Sequence, residues 1–191
     1  NSAREELAST GLSISSFGQG NDGELYLVNY GGGLYKLVQT GGAGADTVPD
    51  LLSETGCTSS SNVTQPSAGL IPYEPNAEFW SDGAAKGRWI GLPDGATVSI
   101  RSDGDFDFPN GTVLVKSFRL QGKLIETRLF MRHPDGVWAG YTYRWNDPQT
   151  EATRVRGGAT ATVAGQSWTF PSEAQCLQCH TEGAGRSLGL E

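Results

Sequence analysis

From residue 70 onward, apolar and polar positions alternate in short runs. "GRWIGL", "ATVSIR", "TVLVKSFRL", "KLIETRLFMRH", "VWAGYTYRW", "ATRVR", "TATVA" and "QSWTFP" are rich in β-branched and aromatic residues. Turn signals such as "LPDG", "RSDG", "FPNG" and "HPDG" separate many of them. Alternation with period two predicts half-buried strands, and the glycine-bearing breaks predict hairpins. The spacing predicts an antiparallel meander over 112–120, 123–133 and 137–146, joined by "QGK" and "PDG". The expected fold is mainly β, an antiparallel sandwich- or barrel-like module. In the strand 123–133, period two puts Ile125, Thr127, Leu129, Met131 and His133 on one face. Leu124, Glu126, Arg128, Phe130 and Arg132 take the other, less apolar face.

Before residue 70 the pattern is thinner. Residues 3–9 suit a short helix. "GELYLVNYGGGLYKLV" reads as strand, tight turn, strand, with the glycines at 31–33 as the break, so an N-terminal hairpin is expected. Residues 39–69 are rich in Gly, Ser, Thr, Pro and Ala and read as a linker or extended loop, with one helical turn in "PDLLSETGC" stopped at Gly56. The chain thus divides into a terminal hairpin at 1–40, a linker at 41–69, a β-rich module at 70–170 and a closing segment at 171–191.

The closing segment changes character. "PSEAQCLQCH" has a capping-box pattern, with Ser172 as N-cap and Gln175 at the third helical position, and predicts a short helix from about Glu173. Cys176, Cys179 and His180 stand at i, i+3 and i+4, so they share one helical face. Cys-x-x-Cys-His is the pattern of covalent c-type haem attachment. The thiols, one turn apart, take the two vinyl groups, and the adjacent histidine is the proximal iron ligand. A zinc knuckle is the competing reading; it needs four ligands, and Cys57 and His133 are the remaining candidates. A redox disulfide of the thioredoxin kind expects a βαβ setting, which the strand pattern lacks.

The chain has two histidines and one methionine. The distal ligand of a six-coordinate haem is therefore His133, Met131 or a group from outside. For His133 a hydrogen-bonded core histidine is the other reading. A second histidine would favour a low potential and methionine a higher one. Cys57 is left over, either as a buried free thiol or as a partner for a cysteine outside the chain. Asp103, Asp105 and Asp107 alternate in "RSDGDFDFPNG". They form either a solvated turn or a weak calcium site, and the EF-hand pattern fails for want of its glycine and terminal acid.

Composition narrows the classes. With 191 residues, 37% hydrophobic and 18% charged, the chain can bury a sizeable core. The net charge of −7, with no basic stripe, argues against nucleic acid. No apolar run approaches the ~20 residues of a membrane-spanning helix. The start, "NSAREELAST", lacks a signal pattern, which implies a removed leader or a longer precursor. Trp80, Trp89, Trp138, Trp145 and Trp168, with Tyr141 and Tyr143, are expected in the core, some of them against haem. No nucleophile–base set, phosphate loop or carboxylate pair stands out, so no enzymatic chemistry of the chain's own is expected.

Two stretches resemble known families. "ISSFGQGNDGELYLVNYGGGLYKLV" is similar to the closing strands of soluble glucose/sorbosone dehydrogenase propellers. The segment from "LLSETGC" through "GLIPYEPNAEFWSDGAAKGRWIGLPDG", "FPNGTVLVKSF", "IETRLFMRHPDG", "GYTYRWNDPQT" and "FPSEAQCLQCHTEGAGRSLGL" resembles a family of bacterial multidomain c-type cytochromes. In that family a propeller precedes a β-rich module with its CxxCH, and a second haem motif often follows. "FPNGTVLVKSF" also resembles, more weakly, the β domains of cytochrome P460.

The chain departs from the family's pattern in holding one hairpin's worth of propeller and one haem motif. The residues of sugar oxidation therefore do not carry over. The resemblance implies haem binding by Cys176, Cys179 and His180, and a role for His133. It further implies a mono-haem electron-transfer module that works in the periplasm or at the cell surface with redox partner proteins. The electron-acceptor domain of a larger sugar or alcohol dehydrogenase is the alternative, and a structural zinc module the third reading. Unpaired strands at 24–38 would also suit self-assembly, in stacks or filaments.

Overall fold

A computed structural model describes residues 10–19, 25–36, 47–77 and 79–188. The helix expected over 3–9 lies outside these residues. The protein is mainly β, with antiparallel sheets, an N-terminal hairpin and one α-helix near the C-terminus. No helix among the described residues is long and apolar enough to cross a membrane. Two compact units divide between residues 40 and 41.

The first unit is a three-stranded antiparallel meander of β1 (Ile14–Gln19), β2 (Leu25–Asn29) and β3 (Leu34–Lys36). The expected hairpin is β2–β3, turned through Gly32 and Gly33 at φ 88° and 122°. Strand β1 has weak alternation in "ISSFGQ" and is recruited by pairing to β2. Leu27 is buried, while Phe17, Tyr30 and Leu34 are exposed.

The second unit contains β4 (Thr58–Ser59), β5 (Asn62–Pro66), β6 (Ile71–Pro72), β7 (Ala85–Gly91), β8 (Ser99–Ile100), β9 (Phe106–Asp107), β10 (Val113–Leu120), β11 (Lys123–Arg132) and β12 (Trp138–Trp145). It continues with β13 (Ala152–Arg154), β14 (Ala159–Val163), β15 (Gln166–Phe170) and α1 (Glu173–Cys179). Its backbone is a six-stranded antiparallel sheet in the order β13-β12-β11-β10-β7-β6. The expected meander is β10–β11–β12. Gln121 and Gly122 turn the first hairpin, both at positive φ (51° and 80°), the backbone a two-residue turn needs to follow strand twist.

Two-stranded ribbons and loops cover the sheet. On its first face Trp89, Val115, Leu129, Tyr141 and Tyr143 pack under Val48, Leu52, Cys57 and Val63. The covering stretch from 47, expected as a linker, is therefore part of the core. Its apolar residues are too sparse among Gly, Ser and Thr to show a period, and only the sheet beneath gathers them. Tyr143 donates its hydroxyl to Pro49 O at 2.7 Å and holds that cover down.

The second face carries two clusters. Leu114 and Phe130 pack with Phe108, Trp138 and Leu177, and Phe118 packs with Ile125, Trp168 and Phe170. Ile125 was expected beside Leu129. A register shift opposite Phe118 and Arg119 makes Ile125 the extra residue of a bulge, so Ile125 turns to the second face and Leu124 to the first. Trp80, expected among the core aromatics, is 73% exposed.

Candidate functional site

Helix α1 begins as the sequence predicts. Ser172 Oγ accepts from Gln175 N, and Gln175 Oε1 accepts from Ser172 N, which completes the capping box. A cap of this kind contributes about 1 kcal/mol, a large fraction of what a helix of two turns needs. The ion pair of Glu173 with Arg154, at the sheet edge, fixes the first turn further.

The helix lies on the second face against β12. Gly140 is the floor: a Cβ built there would lie 2.5 Å from Cys176 Cβ and 2.7 Å from its Sγ. Cys176 is half-buried and Cys179 exposed, and both are free thiols. Burial raises the Cys176 pKa above its ordinary value, with Arg128 pulling the other way. Cys176 Sγ stands near the buried Thr142 hydroxyl, which has no hydrogen-bond partner of ordinary geometry and only this weak sulfur partner on offer.

His180 closes the helix. Its Nδ1 lies 2.6 Å from Arg186 O, and Arg186 Nη1 donates back to His180 O at 2.9 Å. Arg186 holds φ at 65°, a left-handed conformation uncommon outside glycine, and this turns its carbonyl to the ring. A carbonyl only accepts, so Nδ1 carries the hydrogen and Nε2 keeps its lone pair. Burial lowers the His180 pKa, partly offset by the bond to Arg186, so the ring is neutral at pH 7. Its ring packs on the buried Phe130, centroids 4.2 Å apart, and Phe130 stacks on Trp138 at 4.9 Å.

His133 and Met131 do not join this group. His133 Nε2 is 2.8 Å from the hydroxyl of Tyr141, and Tyr141 and Met131 belong to the cluster on the first face. The sheet stands between them and His180, which rests on Phe130 of the second face. The alternation that puts His133 and Met131 on the more apolar face puts them away from the helix, and His133 takes the place of a hydrogen-bonded core histidine. Cys57 is buried on the first face too, so the four-ligand zinc set is not assembled. Among the described residues no cluster of three or more His, Cys, Asp or Glu is placed to hold a metal ion. Of the proposed calcium ligands, Asp103 and Asp105 pair with Arg101, and Asp107 pairs with Arg132.

Sequence reasoning missed Gly140, Phe130 and the Arg186 carbonyl. Gly140 left a signal, a glycine inside the strand pattern "VWAGYTYRW", which marks a close approach of another backbone. The Arg186 carbonyl left none, because its role depends on a backbone angle.

The donor set fits a c-type haem: two thiols on one helical turn, a neutral imidazole presenting Nε2, and an aromatic floor. No protein-family model matches the chain, and comparison with curated proteins and with solved structures gives no match either.

Proposed function

We propose that the second unit is a mono-haem c-type cytochrome module that carries electrons outside the cytoplasm, where such haem is attached. The observation that carries this reading is the His180 Nδ1–Arg186 O bond, which leaves Nε2 as the nitrogen available to a ligand, one residue after Cys179. Cys176 and Cys179 would hold the haem covalently, and His180 would be its proximal ligand. Bound there, the haem would supply a one-electron iron couple.

The chain's own residues do the rest. The capping box and the Glu173–Arg154 pair fix the helix that bears the thiols. Arg186 O and Phe130 fix the plane of the imidazole, and burial keeps it unprotonated. Phe130, Trp138 and Leu177 keep water from one side and lower the local dielectric. His133 and Met131, on the far side of the sheet, would not reach a haem held by Cys176, Cys179 and His180.

The test is expression with and without c-type haem maturation. The matured wild type should gain the mass of one haem and show a Soret band and a reducible α band. Cys176→Ser/Cys179→Ser should carry no covalent haem. A wild type free of haem under maturation overturns the reading.

A further inference from the structure

Cross-strand register places three cations side by side on the second face. Lys116 of β10 is paired directly with Arg88 of β7 on one side and with Arg128 of β11 on the other, and Arg128 is paired with Thr142 of β12. Like charges directly opposite one another destabilise a sheet. Arg128 is compensated, since Nε and Nη2 hold the two oxygens of the fully buried Glu126 at 2.6 and 2.9 Å. Trp168 Nε1 also donates to Glu126 Oε2 at 2.9 Å, so that carboxylate is fully used. Arg88 and Lys116 form no ion pair among the described residues, although Arg88 is only 8% exposed. Burial and the neighbouring Arg88, Arg128 and Lys86 push the Lys116 pKa down to about 8. Lys116 also sits over the Phe118 ring, 5.4 Å from its centroid, and feels the Glu126 carboxylate, but no described acid pairs directly with Arg88 or Lys116. Adjacent, half-sequestered cations are costly, and folds retain such arrangements at sites that take an anion.

The row is aligned with the candidate haem site. Cys176 lies over β12, and strands about 4.8 Å apart put β10 about 10 Å and β7 about 14 Å from it along the sheet. A haem bears its vinyl groups on one edge and its two carboxylates on the opposite side. The thiols would hold the first edge, and Arg88 and Lys116 lie across the sheet in the direction the second would take.

We propose that Arg88 and Lys116, backed by Arg128, receive the two carboxylates of the haem held by Cys176, Cys179 and His180. This rests on the haem reading above. The row is then a positioning and potential-setting element. Its positive charge favours the reduced iron, which carries one charge fewer.

The experiment compares wild type, Lys116→Met and Arg88→Gln/Lys116→Met as matured and as haem-free protein. All three should keep covalent haem, because the thiols are intact. In the matured protein the double variant should shift the oxidised-to-reduced ratio on the order of tenfold towards oxidised, about 59 mV for one electron. Its melting temperature should fall relative to matured wild type. In the haem-free protein the sign should reverse, because removing like charges relieves repulsion. A purely structural row would destabilise both forms, and that result overturns the proposal, as does an unchanged potential. Inorganic phosphate added to haem-free wild type distinguishes the source of the anion. A phosphate-dependent rise in melting temperature, lost in the double variant while the potential stays unmoved, assigns the row to free anions and overturns the haem-carboxylate assignment. A wild type without haem sinks the haem reading itself, and this proposal falls with it.

Discussion

Gly140 and Cys176 meet with no room for a side chain between strand and helix. The contact sets the distance from the thiol to the sheet, and any methyl at position 140 must move the helix outward. Gly140→Ala should destabilise the protein by about 1–3 kcal/mol, the usual cost of overpacking. It should also lower the fraction of matured protein that carries haem. Urea unfolding and haem stoichiometry measure the two effects, and an unchanged midpoint with full haem content would contradict the contact.

His133→Ala tests which side of the sheet this histidine serves. It removes one half-buried hydrogen bond to Tyr141, so a loss of about 1 kcal/mol is expected. The visible spectrum of the matured protein should be unchanged in both oxidation states. A change from a low-spin to a high-spin spectrum would make His133 the distal ligand and contradict its place on the far side of the sheet.

Glu126 is fully buried, with its charge answered by Arg128 and its second oxygen by Trp168 as well. Glu126→Gln leaves Arg128 facing Lys116 without its counter-charge. Removing one member of a buried pair costs on the order of 3 kcal/mol. The measurement is ΔG from denaturant unfolding at low ionic strength; added salt should recover part of the loss, because Arg128 is one-third exposed.

Lys116 has a definite pH signature in the haem-free protein. Its folded pKa is about 8 against an ordinary 10.5, so below pH 8 both states carry the charge and the native state bears the full burial penalty. Between those values the native state sheds the proton while the unfolded state keeps it, so this group makes stability rise with pH. Buried thiols Cys57 and Cys176, with raised pKa values, act in the opposite direction. The informative quantity is therefore the difference between Lys116→Met and wild type. The variant's advantage at pH 7 should shrink as pH rises past 8, and a gap independent of pH would show that Lys116 is not under electrostatic stress.

The meander, the hairpin turns, the capping box and the shared face of Cys176, Cys179 and His180 were legible in the chain because each depends on residues within a few positions of one another. Asp135-Gly136 and Gln121-Gly122 choose their turns by backbone preference, and Ser172 and Gln175 choose a helix start by mutual hydrogen bonds. The covering stretch from 47, the strand β1 and the inversion at Ile125 were not legible. Each depends on a partner strand that decides burial, pairing or register.

The sequence by itself determined the donors and their local spacing: two thiols and an imidazole on one turn of a capped helix, beside a β-rich module. Tertiary structure alone decided what those donors face. Which side of the sheet the helix covers fixes Gly140 as its floor, puts His133 and Met131 out of reach, and sets Arg88, Lys116 and Arg128 in a row beside it. The reason is that alternation along a strand defines two faces but not which of them a distant segment will cover. That choice follows from the packing of Phe130, Trp138 and Leu177, contacts between residues up to 47 positions apart in the chain, from 130 to 177.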